Sequence, residues 1–515
     1  MLSKVYSSGV IGIEGYEVTV ECSAWDRIPA FELVGLPDAA VKEAKNRVRA
    51  ACENSGFLFP ALDLMINLAP ADVKKEGTAF DLAIICAILQ CDGIISRELD
   101  FSDKCLIGEL SLSGEVRSVT GVLPMVVSAR DLGKKEIYVS EANAEEAAVV
   151  AGVTVYPVRT LRQLVEHLRG NEPIMPMPAE LANVDLSCHA DAPDFSEVYG
   201  QLKAKRALEI AAAGGHNVLM IGPPGTGKSM LAKRLASILP DMDLSEALET
   251  TKIHSVGGSL RKGLITDRPF RSPHHTVSMA GLVGGGAHPR PGEISLAHNG
   301  VLFFDELPEF PKTITEALRQ PLEDGVVTVI RAAAKVKYPA SFMLVCAMNP
   351  CKCGYFGDSN RHCTCTPQAR TKYLERVSGP LLDRIDIEIE LPSVSYSDIS
   401  RKGKPGEPSA EIRKRVNAAR AFANERLAAA GDAVGILNSK MTPKMIAKHC
   451  KLDDAASELM RAAFESLGFS ARAHDRVLRV ARTIADLDGS PTITEDHIAE
   501  AVMYRSLERK YWKRG

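Results

Sequence analysis

No apolar run in the 515-residue chain reaches the roughly 18 residues needed to cross a bilayer, which excludes a membrane-spanning helix. Charge of one sign is not in excess either: 62 Lys and Arg stand against 65 Asp and Glu, a net charge of −3. A chain so balanced exerts no long-range pull on nucleic acid, so any such binding must come from a local basic surface. No fixed-period repeat runs through the sequence, which excludes a repeat array. The opening "MLSKVYSSGVIGIEGYE" meets Glu14 and Glu17 before a signal-peptide core could form. The expected compartment is therefore the cytoplasm, where thiols stay reduced and a cysteine cluster points to metal rather than to disulfides.

What is there is a globular composition, 45% hydrophobic and 25% charged, with length for about three domains. Residues 1–170 alternate short β-rich runs ("GYEVTVECSA", "LDLMINLAP", "KEIYVS", "VTVYPV") with helical ones such as "TAFDLAIICAILQC", which predicts an α/β domain. Residues 171–192 are rich in proline and lack periodicity, as a linker does. A second α/β region is expected over 193–395. After "RKGKPGEPSA" the chain turns strongly helical over 396–515, with apolar residues at i, i+3 and i+4 spacing.

"NVLMIGPPGTGKSMLAKRLASIL" reads as a buried strand, a glycine-rich turn and a helix, and Gly222 to Ser229 fit G-x-x-x-x-G-K-[ST]. The expected ATP site comprises Gly222, Pro223, Pro224, Gly225, Thr226, Gly227, Lys228, Ser229 and Met230. The glycines let backbone N–H groups face phosphate, Lys228 reaches the β and γ oxygens, and Ser229 ligates Mg²⁺. Downstream, "GVLFFDELPEF" predicts an apolar strand ending in Asp305 and Glu306. Asp305 is placed to hold the magnesium through water, and Glu306 to polarise the water that attacks the γ-phosphate. "SFMLVCAMNP" predicts a third buried strand whose terminal Asn349 points at the γ-phosphate or that water; an Asn capping a turn is the plainer alternative. "GPLLDRIDIEIELP" puts Arg384 in a turn before another strand. It is either a surface arginine beside Asp383 and Asp386 or a finger reaching a neighbouring subunit's ATP.

In this order the P-loop, the Asp-Glu pair, the strand-end Asn and "LLDR" resemble an AAA+ ATPase. "RPFRSPHHTVSMAGLVGGGAHPRPGEISLAHNGVLFFDELPEF" with "EALRQPLEDG" resembles the magnesium-chelatase-like branch, specifically the ComM/YifB family, and the resemblance covers essentially the whole chain. It implies a Lon-protease-like α/β domain, a P-loop AAA+ α/β core and a C-terminal helical lid. It implies a sensor-2 arginine after S-x-R, matched by Arg472 in Ser470-Ala471-Arg472, with Arg476 and Arg479 on the same predicted helix. It further implies a homo-hexamer using ATP and Mg²⁺ on DNA, single-stranded or branched, with helicase or branch-migration activity in recombination or transformation. A chelatase-like ATPase that remodels a protein partner is the alternative. Lon-type proteolysis needs a Ser-Lys dyad, but "KEGTAFDLA" puts Ala79 at the serine and "TGVLPMV" puts Leu123 at the lysine. A non-proteolytic scaffold is expected, Thr78 being the remaining candidate nucleophile.

Four of the twelve cysteines fall within "CKCGYFGDSNRHCTC". Cys351, Cys353, Cys363 and Cys365 can give four thiolates to one tetrahedral Zn²⁺, with His362 an alternative ligand, although C-x-C pairs are tighter than the usual C-x₂₋₄-C. A metal-free turn is the plainer reading, disfavoured because so polar and glycine-rich a segment does not bury cysteines for packing. From Lys252 to His298 six Lys and Arg meet only Asp267 and Glu293, and "EDGVVTVIRAAAKVKYPA" predicts a hairpin carrying Arg331, Lys335 and Lys337 as DNA contacts. The resemblance puts both insertions at the pore of a ring, where six copies would track phosphates. The C-terminal "ERKYWKRG" is expected to be a solvated helix end.

Overall fold

Three uninterrupted apolar runs, "VLMI", "VLFF" and "MLVCAM", form the middle of a five-stranded parallel sheet. Strands covered on both faces need no polar alternation, which is why these read as continuous. The order across the sheet is Phe270–Arg271, Val301–Phe304, Met343–Met348, Val218–Ile221, Ile387–Glu390. The computed structural model describes residues 1–178, 193–260, 263–286, 289–330, 335–358, 360–393 and 406–512. Among them no helix is long and apolar enough to cross a membrane.

One face of the sheet shares its core with the lid: Val218, Phe303 and Val345 pack in one cluster with Val416, Val477 and Ile484 of the helices Ser409–Ala429 and Ala471–Leu487. Polar groups lock the same joint. His216 lies between Asp386 and Thr483, at 3.3 and 2.8 Å, and Asp386 accepts from the Asn217 N–H. The buried pair Arg505–Glu388 at 3.3 Å ties the end of the lid to the edge strand. Removing either partner would strand a charge in the core at a cost of about 3–5 kcal/mol.

The first domain is a four-stranded sheet in the order Leu2–Ile11, Glu14–Trp25, Asp63–Ala69, Ala30–Val34, with a parallel sheet of Lys104–Ile107, Glu136–Ser140 and Thr154–Val158. Between them runs Asp81–Asp92, buried along nearly its whole length because it is apolar on every side. The α/β fold class, with its helical lid, is as expected. The domain's edge is not: Ile174 is buried and the Met177 N–H donates to Val155 O at 2.7 Å, so packing continues into the expected linker. Residues 179–192 lie outside the described residues.

The C-terminus corrects another expectation. Tyr511 is buried and donates to Glu390, Lys510 pairs with Glu390 at 2.6 Å, and Trp512 Nε1 donates to Leu374 O at 3.2 Å. Two aromatic side chains among charged neighbours anchor a segment that reads as solvated when charge alone is counted.

Candidate functional site

The P-loop strand Val218–Ile221 ends at the carboxyl edge of the sheet, where parallel α/β folds bind ligands. Gly225 and Gly227 take φ of +80° and +89°, so the turn needs glycine at both. Thr226 ties the loop internally, its hydroxyl donating to Pro223 O at 3.0 Å. Met230, in the helix that follows, is exposed. The Lys228 ammonium donates to Gly222 O at 2.6 Å, Pro223 O at 2.8 Å and Asn349 Oδ1 at 3.2 Å. The last contact joins the P-loop to Asn349, which follows the strand Met343–Met348. Ser229 Oγ donates to Asp305 Oδ2 at 2.6 Å, so the two expected magnesium ligands face each other. Hydroxyl and carboxylate oxygens are the donor set that magnesium takes, with water and phosphate completing its octahedron.

Glu306 is the exposed partner of this pair, in the left-handed region at φ +52°. A non-glycine residue there carries strain of about 1–2 kcal/mol, and such strain gathers at functional sites. The kink sends Asp305 to Ser229 and leaves Glu306 toward solvent. Burial pushes the Lys228 ammonium down to about 8, with Asp305 and Glu306 offsetting part of the effect. Below that value the amine is charged and attracts phosphate; above it the neutral form predominates and must take up a proton when phosphate binds. ADP affinity in magnesium-free buffer should therefore fall above pH 8, approaching tenfold per unit. A flat profile from pH 7 to 9.5 would show that Lys228 does not titrate there.

Arg384 lies at the other end of the sheet. Its carbonyl accepts from Asn217 Nδ2 at 2.8 Å, and Asn217 immediately precedes the strand that leads into the P-loop. Five residues of strand span about 16 Å, which is more than an arginine side chain covers. Its guanidinium pairs with Glu323 and donates to Pro380 O at 2.6 Å, while Nε has no hydrogen-bond partner among the described residues. Arg472 reaches Asp383, next to Arg384, at 3.6 Å and is 78% exposed. Arg476 is instead buried, holding Leu382 O, Ile385 O and Asp383, and Arg479 donates to Ser439 O. Arg472 is the most exposed of Arg472, Arg476 and Arg479. Burial, then the like charges of Arg319 and Arg472, hold Arg384 below the usual arginine value. Arg319 sits in "EALRQPLEDG", and motif reading gives it no role; nothing in the one-dimensional pattern puts it beside Arg384.

The four sulfurs of Cys351, Cys353, Cys363 and Cys365 lie within 4.8 Å of one another. Three separations are 3.3, 3.7 and 3.6 Å. Four thiolates at about 2.3 Å from one zinc stand about 3.8 Å apart, so the set fits that ion. Burial opposes ionisation at Cys353, but the N–H groups of Tyr355 and Thr364 and the neighbouring Cys351 and Cys365 together hold its thiol below the ordinary value.

Three models of the magnesium-chelatase family match: "Subunit ChlI of Mg-chelatase" over residues 20–143, "Magnesium chelatase, subunit ChlI" over 194–399, and "Magnesium chelatase, subunit ChlI C-terminal" over 406–505. Competence protein ComM of Haemophilus influenzae is 43% identical over 99% of this chain and 98% of its own. The uncharacterized protein YifB of Escherichia coli matches at the same identity and coverage. The chain belongs to the ComM/YifB family. The magnesium-chelatase 38 kDa subunit of Rhodobacter capsulatus is 26% identical over 59% of this chain and 84% of its own. The ComM/YifB chain is thus a member of the magnesium-chelatase-like ATPase family.

Two further expectations meet the structure differently. In this ComM/YifB chain Ala79 and Leu123 are both buried, in an apolar cluster against which Leu248 and Leu264 of the ATPase region pack. Thr78 donates to Glu109 at 2.5 Å, a carboxylate where a Lon-type nucleophile needs an amine base. The place of the dyad is a seam between domains. Part of the basic stretch from Lys252 to His298 is paired within the fold: Arg268 with Glu246, Arg271 with Glu293, His298 with Glu249. Arg261 and Lys262 lie outside the described residues. The hairpin forms as expected, Val326–Ile330 against Lys335–Pro339, with Lys335 and Lys337 exposed on one face and Val336 and Tyr338 buried on the other. Arg331 lies outside the described residues.

Proposed function

We propose that this protein is a ring-forming ATPase that moves along DNA, a homo-hexamer whose active sites are completed between subunits. The observation that carries the ring is the separation of Lys228 from Arg384 by the length of a strand: one chain holds both halves of a site at opposite ends and joins neither to the other. A neighbour's Arg384 and Arg472 then meet the γ-phosphate on Lys228. Glu306 orients and polarises water, which bonds to the γ-phosphorus as the bond to the β–γ bridging oxygen breaks, leaving ADP and phosphate. Magnesium on Ser229 and Asp305 would neutralise the developing charge. The four thiols are read as one structural zinc site, and the setting as cytoplasmic.

DNA is favoured as the polymer because the full-length match is to a protein named for competence, while the chelatase subunit matches 59% of the chain. A role in transformation or recombination follows from that name. The test is Lys335→Ala with Lys337→Ala. DNA affinity should fall and its salt dependence flatten, by roughly 0.7–0.9 in slope for each phosphate no longer neutralised, without regard to base sequence. DNA-stimulated hydrolysis and strand displacement should fall with it. Unchanged affinity and slope would remove the hairpin from the DNA path. A wild-type ATPase indifferent to every DNA tested would favour the chelatase-like alternative, remodelling of a protein partner, for which the three matching family models speak.

A further inference from the structure

We infer that the zinc knuckle is a wall of the nucleotide site, so that metal occupancy sets nucleotide affinity. This rests on reading Gly222–Ser229 as the ATP site and the four thiols as one zinc site. The connection is covalent on one side. The strand Met343–Met348 accepts the Gly222 N–H through Met348 O at 3.2 Å, Asn349 receives the Lys228 ammonium, and Cys351 follows two residues later, fully buried.

On the other side the connection is by contact. Gly354, between the first two and the last two cysteines, has φ +88°, and its N–H donates to Cys351 O at 3.0 Å. A β-carbon built there would lie 2.6 Å from Pro224 Cδ and 2.9 Å from Pro224 Cγ. The knuckle's backbone is therefore pressed against the P-loop with no room for a side chain between. Gly225 and Gly227 instead face open space, so the phosphate-facing part of the loop has no packing there. The loop keeps its hydrogen bonds at Gly222, Pro223 and Thr226 when the knuckle loosens but loses the packing at Pro224, and that part must then be ordered at an entropic cost when nucleotide binds.

The outer side of the knuckle is held as well. The Arg370 guanidinium lies 4.2 Å above the Phe356 ring, Tyr511 meets Phe356 edge-on at 6.3 Å, and Ser393 donates to Asp358 at 2.7 Å. Among these contacts the four thiols are the part an ion would hold: in the ionised form that binds zinc, sulfurs at 3.3–3.7 Å repel unless the cation lies between them. Because structural zinc contributes folding free energy directly, its loss frees the turn that carries Gly354.

The experiment uses the full-length protein, with zinc per chain from metal analysis and affinity from a fluorescent ADP analogue. Wild type should hold about one zinc per chain. Chelation, or Cys363→Ser, should remove it and weaken ADP binding about tenfold or more, and adding Zn²⁺ back to the chelated wild type should restore binding. Gly354→Ala keeps all four thiols, so it should retain zinc yet weaken ADP binding by a similar factor. Circular dichroism and thermal melting of each variant separate a local loss from unfolding. The inference is overturned if zinc leaves while ADP affinity stays within about twofold, or if Gly354→Ala binds as wild type does. Wild type without zinc would overturn the zinc reading and this inference with it. Wild type that holds zinc and binds no nucleotide would overturn the ATP reading instead.

Discussion

Glu306→Gln should bind ATP and hydrolyse it at least about 100-fold more slowly than wild type, because the amide keeps the shape of the side chain and loses the group that polarises water. Binding should survive because the ammonium of Lys228, the loop amides and the Ser229–Asp305 pair are untouched. The strained backbone at Glu306 sharpens the expectation: a residue held at φ +52° only to shape the turn would tolerate glutamine with little change in turnover. Steady-state ATPase rates together with ADP-analogue binding check it. Near-normal turnover would take Glu306 out of the mechanism and leave Asn349 as the next candidate to orient the water.

Arg384→Ala alone should be slower than wild type by two orders of magnitude or more, as expected for loss of an arginine finger. Mixed with Lys228→Ala, equally inactive, it should regain activity. In a random equal mixture about one interface in four joins an intact P-loop to an intact arginine, and hydrolysis should approach that fraction of wild type. The two substitutions lie at opposite ends of Val218–Ile221, so neither disturbs the half-site the other variant supplies. Rates measured across mixing ratios should peak near equality. A mixture that never exceeds either parent would mean that Arg384 serves its own chain or only the fold.

The arrangement of the P-loop residues was legible because it is local. A glycine turn between a buried strand and a helix fixes Lys228 and Ser229 close together in sequence, and the strands that deliver Asp305 and Asn349 are apolar without interruption. What could not be read was which end of the sheet a loop occupies. Arg384 precedes its strand and Asp305 follows one, a difference of about 16 Å that depends on strand direction and not on residue type. Charge counting failed where pairing is long-range. Arg268 and His298 look free in their own stretch because Glu246 and Glu249 lie just outside it. Tyr511 and Trp512 were hidden by the charges around them, and their partners Glu390 and Leu374 stand far back in the chain, 121 and 138 residues away.

The turn at Gly12 and Ile13 has its own consequence for timescale. A β-carbon on Gly12 would lie 2.8 Å from Val336 Cγ1, and Ile13 is buried in the cluster that contains Val336 and Tyr338. Val336 pairs with Val329, and Ile330 with Lys335 is the one described pair beyond the point of contact. At Val336 the hairpin is packed against the first domain, and packed residues do not move as exposed surface loops do, in nanoseconds. For Lys335 to travel, the hairpin that carries Gly12 must travel too, and with it the sheet to which both of its strands belong. A displacement of this hairpin during turnover is therefore expected to be collective, in the microsecond-to-millisecond class of domain motions, and removing the first domain should uncouple it.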